Sequence, residues 1–495
     1  MRICTAIVVC AVSATLSLKT ASAGYAEYLQ LNGLDNDAVL EDNGNPSDNI
    51  VQLRSTNGTF ATIQFEMPTD VLAISLGAGN DNLQVEGLEL GTLTAELMVF
   101  GQSGDDSVNV RGLDTLGSVY SDDLQGDNSF ATQYGLISGD VHVTDGSGNQ
   151  SVILRGEFGG NVYVQSSDGD STVSVGQATI SGLAAYVRGS VLIDNAGYGN
   201  DDVTISGFVD GDVYVDSGHG DFDLSSIFSN VGSLYTNVDS GTSTVFLGDF
   251  SSSGETNLQC AEGETNLQIY FSYLDGGLNV KNGLGFDQAR IEGAHIPQVN
   301  IDNGGGGSST ILRDRFRSLN LPSVQVTNAF GSDTFELELG DRETATVGSF
   351  SASNGSGNSS MMISGSSPMN NVTLGSRNGL DVLSLNGVNI DSNLIAFFDN
   401  GGGDVDISDS NIGGNIDINL RRSTDYVSIF DSTVGGTTNI STGAGDDSVT
   451  VSNNVFASDF VANGGIGGYD IFATTNDSSF GGIEYVTQFE FVYEY

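Results

Sequence analysis

A glycine-centred turn returns about every 22 residues along this chain, and no other feature constrains the fold so strongly. Residues 77–85 (GAGNDNLQV) and 443–451 (GAGDDSVTV) show the unit: a glycine turn, an acidic or amide residue, then alternating aliphatic residues. Glycine, Asn and Asp favour turns, and alternation with a period of two indicates strands. The turn position falls at Gly79, Gly104, Gly126, Gly148, Gly169, Gly199, Gly220, Gly241, Gly263, Gly285, Gly307, Gly331, Gly357, Gly379, Gly403, Ser423, Gly445 and Gly467.

The apolar residues on both sides of each turn are spaced two apart, as in Val108 and Val110 or Val191 and Ile193. Such spacing places both side chains on one face of a strand. One repeat alone cannot bury that face, whereas stacked repeats form continuous apolar columns. Crossovers between parallel strands are right-handed in nearly all known sheets. The sequence therefore predicts an all-β fold, a right-handed parallel β-helix (solenoid) of about 18 coils with a period near 22 residues, capped at both ends.

Four segments are predicted from composition along the chain. Residues 1–23 are typical of a secretory signal peptide, with Arg2, an apolar stretch and a small-residue cleavage site at 21–23. Residues 24–70 are expected to form an N-terminal β cap, residues 71–475 the β-helix, and residues 476–495 a C-terminal capping strand whose aromatic rings cover the last coil. No later stretch is long enough to span a bilayer. We therefore expect a secreted or cell-surface protein that is not an integral membrane protein.

The charge balance is strongly acidic, with 63 Asp and Glu against 15 Lys and Arg and a formal net charge of −48. Repulsion from this charge makes nucleic acid and anionic membrane surfaces unlikely partners and favours divalent cations. Cys260 is the only cysteine outside the predicted signal peptide. An intramolecular disulfide is then impossible, and its alternation with Leu258 predicts a small core residue.

The acidic turns resemble haemolysin-type (RTX) calcium-binding repeats, whose unit is G-G-x-G-x-D-x-U-x. The resemblance covers residues 77–84 and 443–450, although those repeats recur every nine residues rather than every 22. It implies that calcium binds between stacked turns through carboxylate and carbonyl oxygens. The alternative is that Asp and Asn close the turns by bonding to their own backbone. The candidate calcium ligands are Asn80, Asp81, Asp105, Asp106, Asp127, Asn200, Asp201, Asp202, Asp446 and Asp447.

A second resemblance is to polygalacturonases, which are right-handed β-helices with paired aspartates and a G-H-G histidine. Asp201 and Asp202, followed by His219, match that arrangement, and paired carboxylates suit glycoside hydrolysis. The family's downstream R-I-K motif is not matched, because residues 290–292 read R-I-E. The resemblance implies catalytic roles for Asp201, Asp202 and His219, although the repeat itself also accounts for the aspartates.

Two further features bear on binding. Arg313, Arg315 and Arg317 alternate along a strand and are expected to bind either an acidic glycan or carboxylates of neighbouring coils. The spacing between Gly169 and Gly199 holds about eight extra residues around 177–188, and loops carry function on solenoids. The favoured function is a secreted or cell-surface structural or adhesive solenoid, stabilised by calcium and contacting an extracellular glycan or cell-surface partner. The alternative is a carbohydrate-active enzyme, a polysaccharide hydrolase or lyase, on the same scaffold.

Overall fold

A computed structural model describes residues 24–45, 47–88, 91–93, 95–115, 117–176, 184–314, 318–340, 345–475 and 477–495. In these residues the chain consists of strands and turns, with no α-helix. It is a parallel β-solenoid of about 18 turns with a repeat of about 22 residues. The fold class predicted from the sequence is therefore confirmed. The predicted signal peptide at 1–23 lies outside the described residues.

Most coils contain three strands, as the coil that begins at Val119 shows. Val119–Gln125 leads into the glycine turn, Asn128–Gln133 follows it, and Leu136–Ile137 comes after a tight corner at Tyr134. The next coil begins at Val141. Strands in these three positions stack into three sheets, which we call the pre-turn sheet, the post-turn sheet and the short sheet.

The chain divides into two compact units, the first ending at Tyr198. In the first unit the strands within each of the three sheets pair in parallel. Two antiparallel strands are added near the N-terminus. The pre-turn strands are Glu27–Gln30, Val71–Ser75, Glu96–Ser103, Val119–Gln125, Val141–Ser147, Val162–Gln165 and Val191–Tyr198. The post-turn strands are Asp37–Asp42, Asn82–Val85, Ser107–Arg111, Asn128–Gln133, Gln150–Leu154 and Ser171–Val175, and the antiparallel strands Ile50–Ser55 and Ile63–Glu66 adjoin the first of them. The short strands are Thr92–Leu93, Asp114–Thr115, Leu136–Ile137, Glu157–Phe158 and Ala185–Val187.

The second unit runs from Gly199 to Tyr495 and repeats the same plan. Its pre-turn strands are Val213–His219, Leu234–Ser240, Thr256–Glu262, Leu278–Leu284, Gln298–Gly305, Asn320–Phe330, Thr346–Ser356, Val372–Asn378, Leu394–Asn400, Ile416–Leu420, Thr438–Ser441, Phe460–Asn463 and Glu484–Thr487. Its post-turn strands are Asp201–Ile205, Phe222–Ile227, Ser243–Gly248, Thr265–Tyr270, Asp287–Glu292, Ser308–Arg313, Asp333–Glu338, Ser359–Ser364, Asp381–Asn386, Gly403–Ser408, Tyr426–Phe430, Ser448–Ser452, Ile471–Thr474 and Phe491–Glu494. Its short strands are Gly207–Val209, Asn230–Val231, Ser251–Ser252, Tyr273–Leu274, Pro368–Met369, Asn389–Ile390, Asn411–Ile412, Thr433–Val434, Val455–Phe456 and Ser479–Phe480.

Aliphatic columns form the core because the strands stack in register. Val119, Val141, Val162 and Val191 occupy equivalent positions in four successive pre-turn strands, and all four are fully buried. Burying a side chain of this size stabilises the fold by about 1.5–3 kcal/mol. The alternation read from the sequence thus corresponds to inward and outward side chains.

A polar column also runs through the core of the second unit. Asn282, Asn303, Asn328 and Asn354 are buried on successive coils, and each Nδ2 of the first three donates to the next Oδ1 at 2.6–2.9 Å. Buried amides are tolerated when they are hydrogen-bonded. Cys260 lies one coil before Asn282 in the same column and is buried, as the sequence predicted.

Candidate functional site

The residues that directly follow the turn glycine form a ladder on the surface of the first unit. The backbone N–H of Asp105 donates to Asn80 Oδ1 at 3.0 Å, and that of Asp127 donates to Asp105 Oδ1 at 2.9 Å. The same pattern continues through Asn149 to Asp170. The predicted calcium ligands Asn80, Asp105 and Asp127 are therefore exposed and hydrogen-bonded to the next coil, rather than to their own backbone.

The residues one position further along form a second ladder, which is buried and runs in the opposite direction. Asp81 donates its N–H to Asp106 Oδ1 at 2.9 Å, and Asp106 donates its N–H to Asn128 Oδ1 at 2.9 Å. Asp81 and Asp106 are each only 2% exposed. Burial raises the pKa of Asp106 to about 6. These two predicted ligands therefore face the core, away from their neighbours Asn80 and Asp105.

Two aspartates from the pre-turn sheet, Asp123 and Asp145, join this ladder inside the solenoid. Asp123 accepts the N–H of Gly101 at 2.9 Å, and Asp145 accepts Nδ2 of Asn128 at 2.9 Å. A Cβ at Gly101 would lie 2.0 Å from Asp123 Oδ1 and 2.3 Å from Asp106 Oδ2, so both oxygens flank one point. Burial, followed by repulsion from the neighbouring acids, raises the pKa of Asp123 to about 7.

Asp123 and Asp145 are not among the residues predicted from the sequence, although their spacing carries a signal. They stand 22 residues apart, each four residues after an inward valine of its strand. Residues an even number of positions apart on a strand share a face, so both aspartates are directed inward like the valines. The alternation of apolar residues alone does not reveal that a polar residue occupies such a position.

In the second unit, the predicted residues Asn200, Asp201 and Asp202 divide among three environments. Asn200 Oδ1 accepts the N–H of Asp221 at 3.0 Å, which makes it a rung of an exposed ladder. Asp201 is buried, and its Oδ2 accepts the hydroxyl of Ser217 at 2.6 Å. Asp202 is exposed, because successive residues of a strand point to opposite faces.

The candidate catalytic group consequently does not share one face. Asp201 points into the core and Asp202 points outward, and His219 is exposed with its Nδ1 2.8 Å from Ser240 Oγ. Two carboxylates that flank a glycosidic bond must both reach the same substrate. The structure brings Asp201 to Ser217, and does not bring it together with Asp202.

A separate buried ladder in the second unit, near the C-terminus, consists of three aspartates. Gly403 donates to Asp425 Oδ1 at 2.6 Å, Asp425 to Asp447 Oδ1 at 3.0 Å, and Asp447 to Asp470 Oδ1 at 2.9 Å. All three aspartates are at most 1% exposed. Burial raises the pKa of Asp425 to about 7 and that of Asp447 to about 6. Asp446, the predicted calcium ligand that precedes Asp447 in the chain, is exposed.

The structure also places the remaining candidates from the sequence. Arg313 is ion-paired within the solenoid, to Glu336 at 2.7 Å and Glu338 at 3.1 Å, whereas residues 315–317 lie outside the described part. In the described ranges, no group of three or more His, Cys, Asp or Glu side chains is arranged to hold a metal ion. Burial raises the pKa of the Cys260 thiol.

Comparison with known proteins supplies no relative. No protein-family model, curated protein or solved structure matches this chain. Over the residues that the structure describes, no helix is long and apolar enough to cross a membrane.

Proposed function

We propose that this chain is an extracellular structural and adhesive β-solenoid that binds calcium at its exposed acidic turns. The observation that supports the adhesive role is the periodic surface. Outward side chains of successive coils stack into ladders: Asn279 Nδ2 donates to Asn257 Oδ1 and Asn300 Nδ2 to Asn279 Oδ1, each at 2.8 Å. Such a surface repeats at the coil spacing of about 4.8 Å, which suits contact with a repetitive polymer.

Aromatic side chains form a comparable ladder on the first unit. The ring of His142 lies between Tyr120 and Tyr163, with centroid distances of 4.7 and 4.4 Å. Burial lowers the pKa of His142, which favours its neutral form. Stacking holds these outward rings in fixed positions, so the surface is preorganised for binding.

The adhesive role is tested on residues 24–495 with an array of extracellular glycans and an assay for released reducing ends. We expect saturable binding to at least one glycan and no cleavage. Absence of binding to every glycan and to intact cells would contradict adhesion. Cleavage that disappears in Asp202→Asn would instead establish the carbohydrate-active alternative, since losing a general acid or base costs about 10²–10⁴-fold.

Calcium is expected to raise the melting temperature. The net charge of −48 opposes the folded state, and an ion that binds only the native turns stabilises it by about 2.7 kcal/mol at 100 times its Kd. Exposed carboxylates on adjacent coils, such as Asp105 and Asp127, supply the oxygens. The double substitution Asp105→Asn and Asp127→Asn keeps the ladder acceptors and removes the charge. It should reduce the calcium-dependent increase, measured by calorimetry.

The matched control for calcium is Asp417→Asn, which removes an exposed charge from a strand face. Sodium chloride at equal ionic strength controls for screening. Equal melting temperatures in calcium and in EDTA at matched ionic strength would show that the turns bind no calcium.

A further inference from the structure

A groove of about 420 Å³ lies on the first unit, along the corner between the post-turn sheet and the short sheet. Its polar and aromatic lining comes from Asp114, Tyr134, Arg155, Glu157 and Tyr186, which belong to four successive coils. Small-ligand sites hold about 300–1,000 Å³. The groove is therefore large enough for a ligand that spans several coils.

Register explains why these side chains meet. Asp114, Leu136, Glu157 and Tyr186 occupy equivalent positions in the short sheet. Their strand neighbours, such as Ile137 and Phe158, are buried, so this column points outward. Adjacent members are about 4.8 Å apart, a spacing similar in scale to one sugar ring.

The second wall is the corner that carries Tyr134 and Arg155. Tyr134 has a positive φ of 57° and is 63% exposed, so its ring projects from the solenoid. On the short-sheet side, the guanidinium carbon of Arg188 lies 5.9 Å from the centre of the Tyr186 ring. Aromatic rings from two of the coils thus line the groove.

The arginines in the described part of the chain differ in whether they pair with a carboxylate. Four of these are ion-paired within 4 Å of a carboxylate: Arg54, Arg290, Arg313 and Arg421. Arg155 lines the groove and has no such partner among the described residues. Glu157 lines the same groove without pairing to it. A donor and an acceptor are both left for a ligand.

We propose that this groove binds a neutral oligosaccharide, an inference that rests on the proposed adhesive function and names its ligand and site. Tyrosine rings pack against the apolar C–H faces of sugars. Carboxylates of Asp114 and Glu157 accept hydrogen bonds from hydroxyl groups, and the Arg155 guanidinium donates to sugar oxygens. The net charge of −48 on the chain repels acidic sugars.

The test is calorimetric titration of residues 24–495 with cellohexaose, maltohexaose, mannohexaose and, as the acidic probe, trigalacturonic acid. We expect binding of a neutral hexaose. Tyr134→Asn, which keeps a residue that tolerates positive φ, and Arg155→Gln should each weaken it at least tenfold. Tyr28→Ala removes another exposed tyrosine of the first unit, outside the groove, and should leave affinity unchanged.

The outcomes separate the groove from the broader function. Failure of the wild-type protein to bind any hexaose, with array binding intact, overturns the groove proposal alone. Hexaose binding that survives both groove substitutions, with melting temperatures unchanged, also overturns it. Asp114→Asn and Glu157→Gln test the two carboxylates, and each should weaken binding of a neutral sugar. Stronger binding of trigalacturonic acid than of the neutral sugars would contradict the proposed ligand class.

Discussion

The folded protein is expected to be more stable at pH 5 than at pH 8, because buried aspartates must ionise as the pH rises. The pKa values of Asp123 and Asp425 are raised to about 7, and those of Asp106 and Asp447 to about 6. In the unfolded chain an aspartate has a pKa of about 3.9. The folded state therefore binds more protons between pH 4 and 7, and stability falls across that interval as the pH rises.

The stabilising contribution of these groups is fully present below about pH 4 and is lost as the pH passes through 6–7. Other groups set the acid limit. Glu41, whose pKa is lowered chiefly by its hydrogen bond from Arg54, loses its contribution as it is protonated. We expect a stability maximum near pH 5, measured as the calorimetric unfolding midpoint at constant ionic strength.

The substitution Asp425→Asn isolates the contribution of one buried carboxyl group to the pH dependence of stability. The amide oxygen keeps the bond from Gly403, and the charge beside Asp447 is removed. One unit between folded and unfolded pKa corresponds to about 1.4 kcal/mol, and the two pKa values of Asp425 differ by about three units. Ionised Asp425 therefore destabilises the fold by on the order of 4 kcal/mol at pH 8. The variant should raise the midpoint strongly at pH 8 and by a smaller amount at pH 5, where folded Asp425 is still protonated.

The control Asp417→Asn removes the same charge from an exposed position and should change both midpoints little. If both variants gain equally at pH 8, general charge repulsion is responsible and the buried carboxyls are not. Wild-type stability that rises steadily from pH 5 to pH 8 would contradict the whole account.

The fold could be predicted because one physical rule is repeated many times. Val119, Val141 or Val162 alone does not indicate a particular fold. Their shared period of about 22 residues indicates strands that stack in register. A local exception shows the limit of the rule. The sequence placed one turn at Gly403, whereas Gly401 has the positive φ of 140° and Gly403 begins the next strand. Three consecutive glycines give the pattern no basis for choosing among them.

The candidate site was less predictable, because adjacent acids in the sequence have opposite environments. Asp105 and Asp106 look alike in the sequence, yet one is an exposed rung and the other is buried. Alternate residues of a strand point to opposite faces, so the position at which the strand begins decides which aspartate is buried. The groove residues Tyr134 and Arg155 meet Tyr186 only through register across coils of unequal length, which local sequence does not specify.

Replacing Gly379 by alanine is expected to cause the largest loss of stability. Its φ is 146°, and a Cβ would lie 2.0 Å from the carbonyl oxygen of Gly357 in the preceding coil. That oxygen is backbone, so it can move away only if two coils separate and their ladder breaks. We expect a destabilisation above about 4 kcal/mol, a size that marks disruption of the backbone or core.

Gly387, eight residues further along, separates steric overlap from backbone preference. It also has a positive φ, 65°, but a Cβ there would meet nothing within 4 Å. Gly387→Ala should therefore cost only the left-handed backbone penalty, about 1–2 kcal/mol. If Gly379→Ala yields no folded protein, proteolysis of the soluble fraction still distinguishes the two variants, since Gly387→Ala should remain resistant. Equal midpoints in both variants would show that the coils tolerate a side chain at the turn, and that close backbone approach is not what selects glycine there.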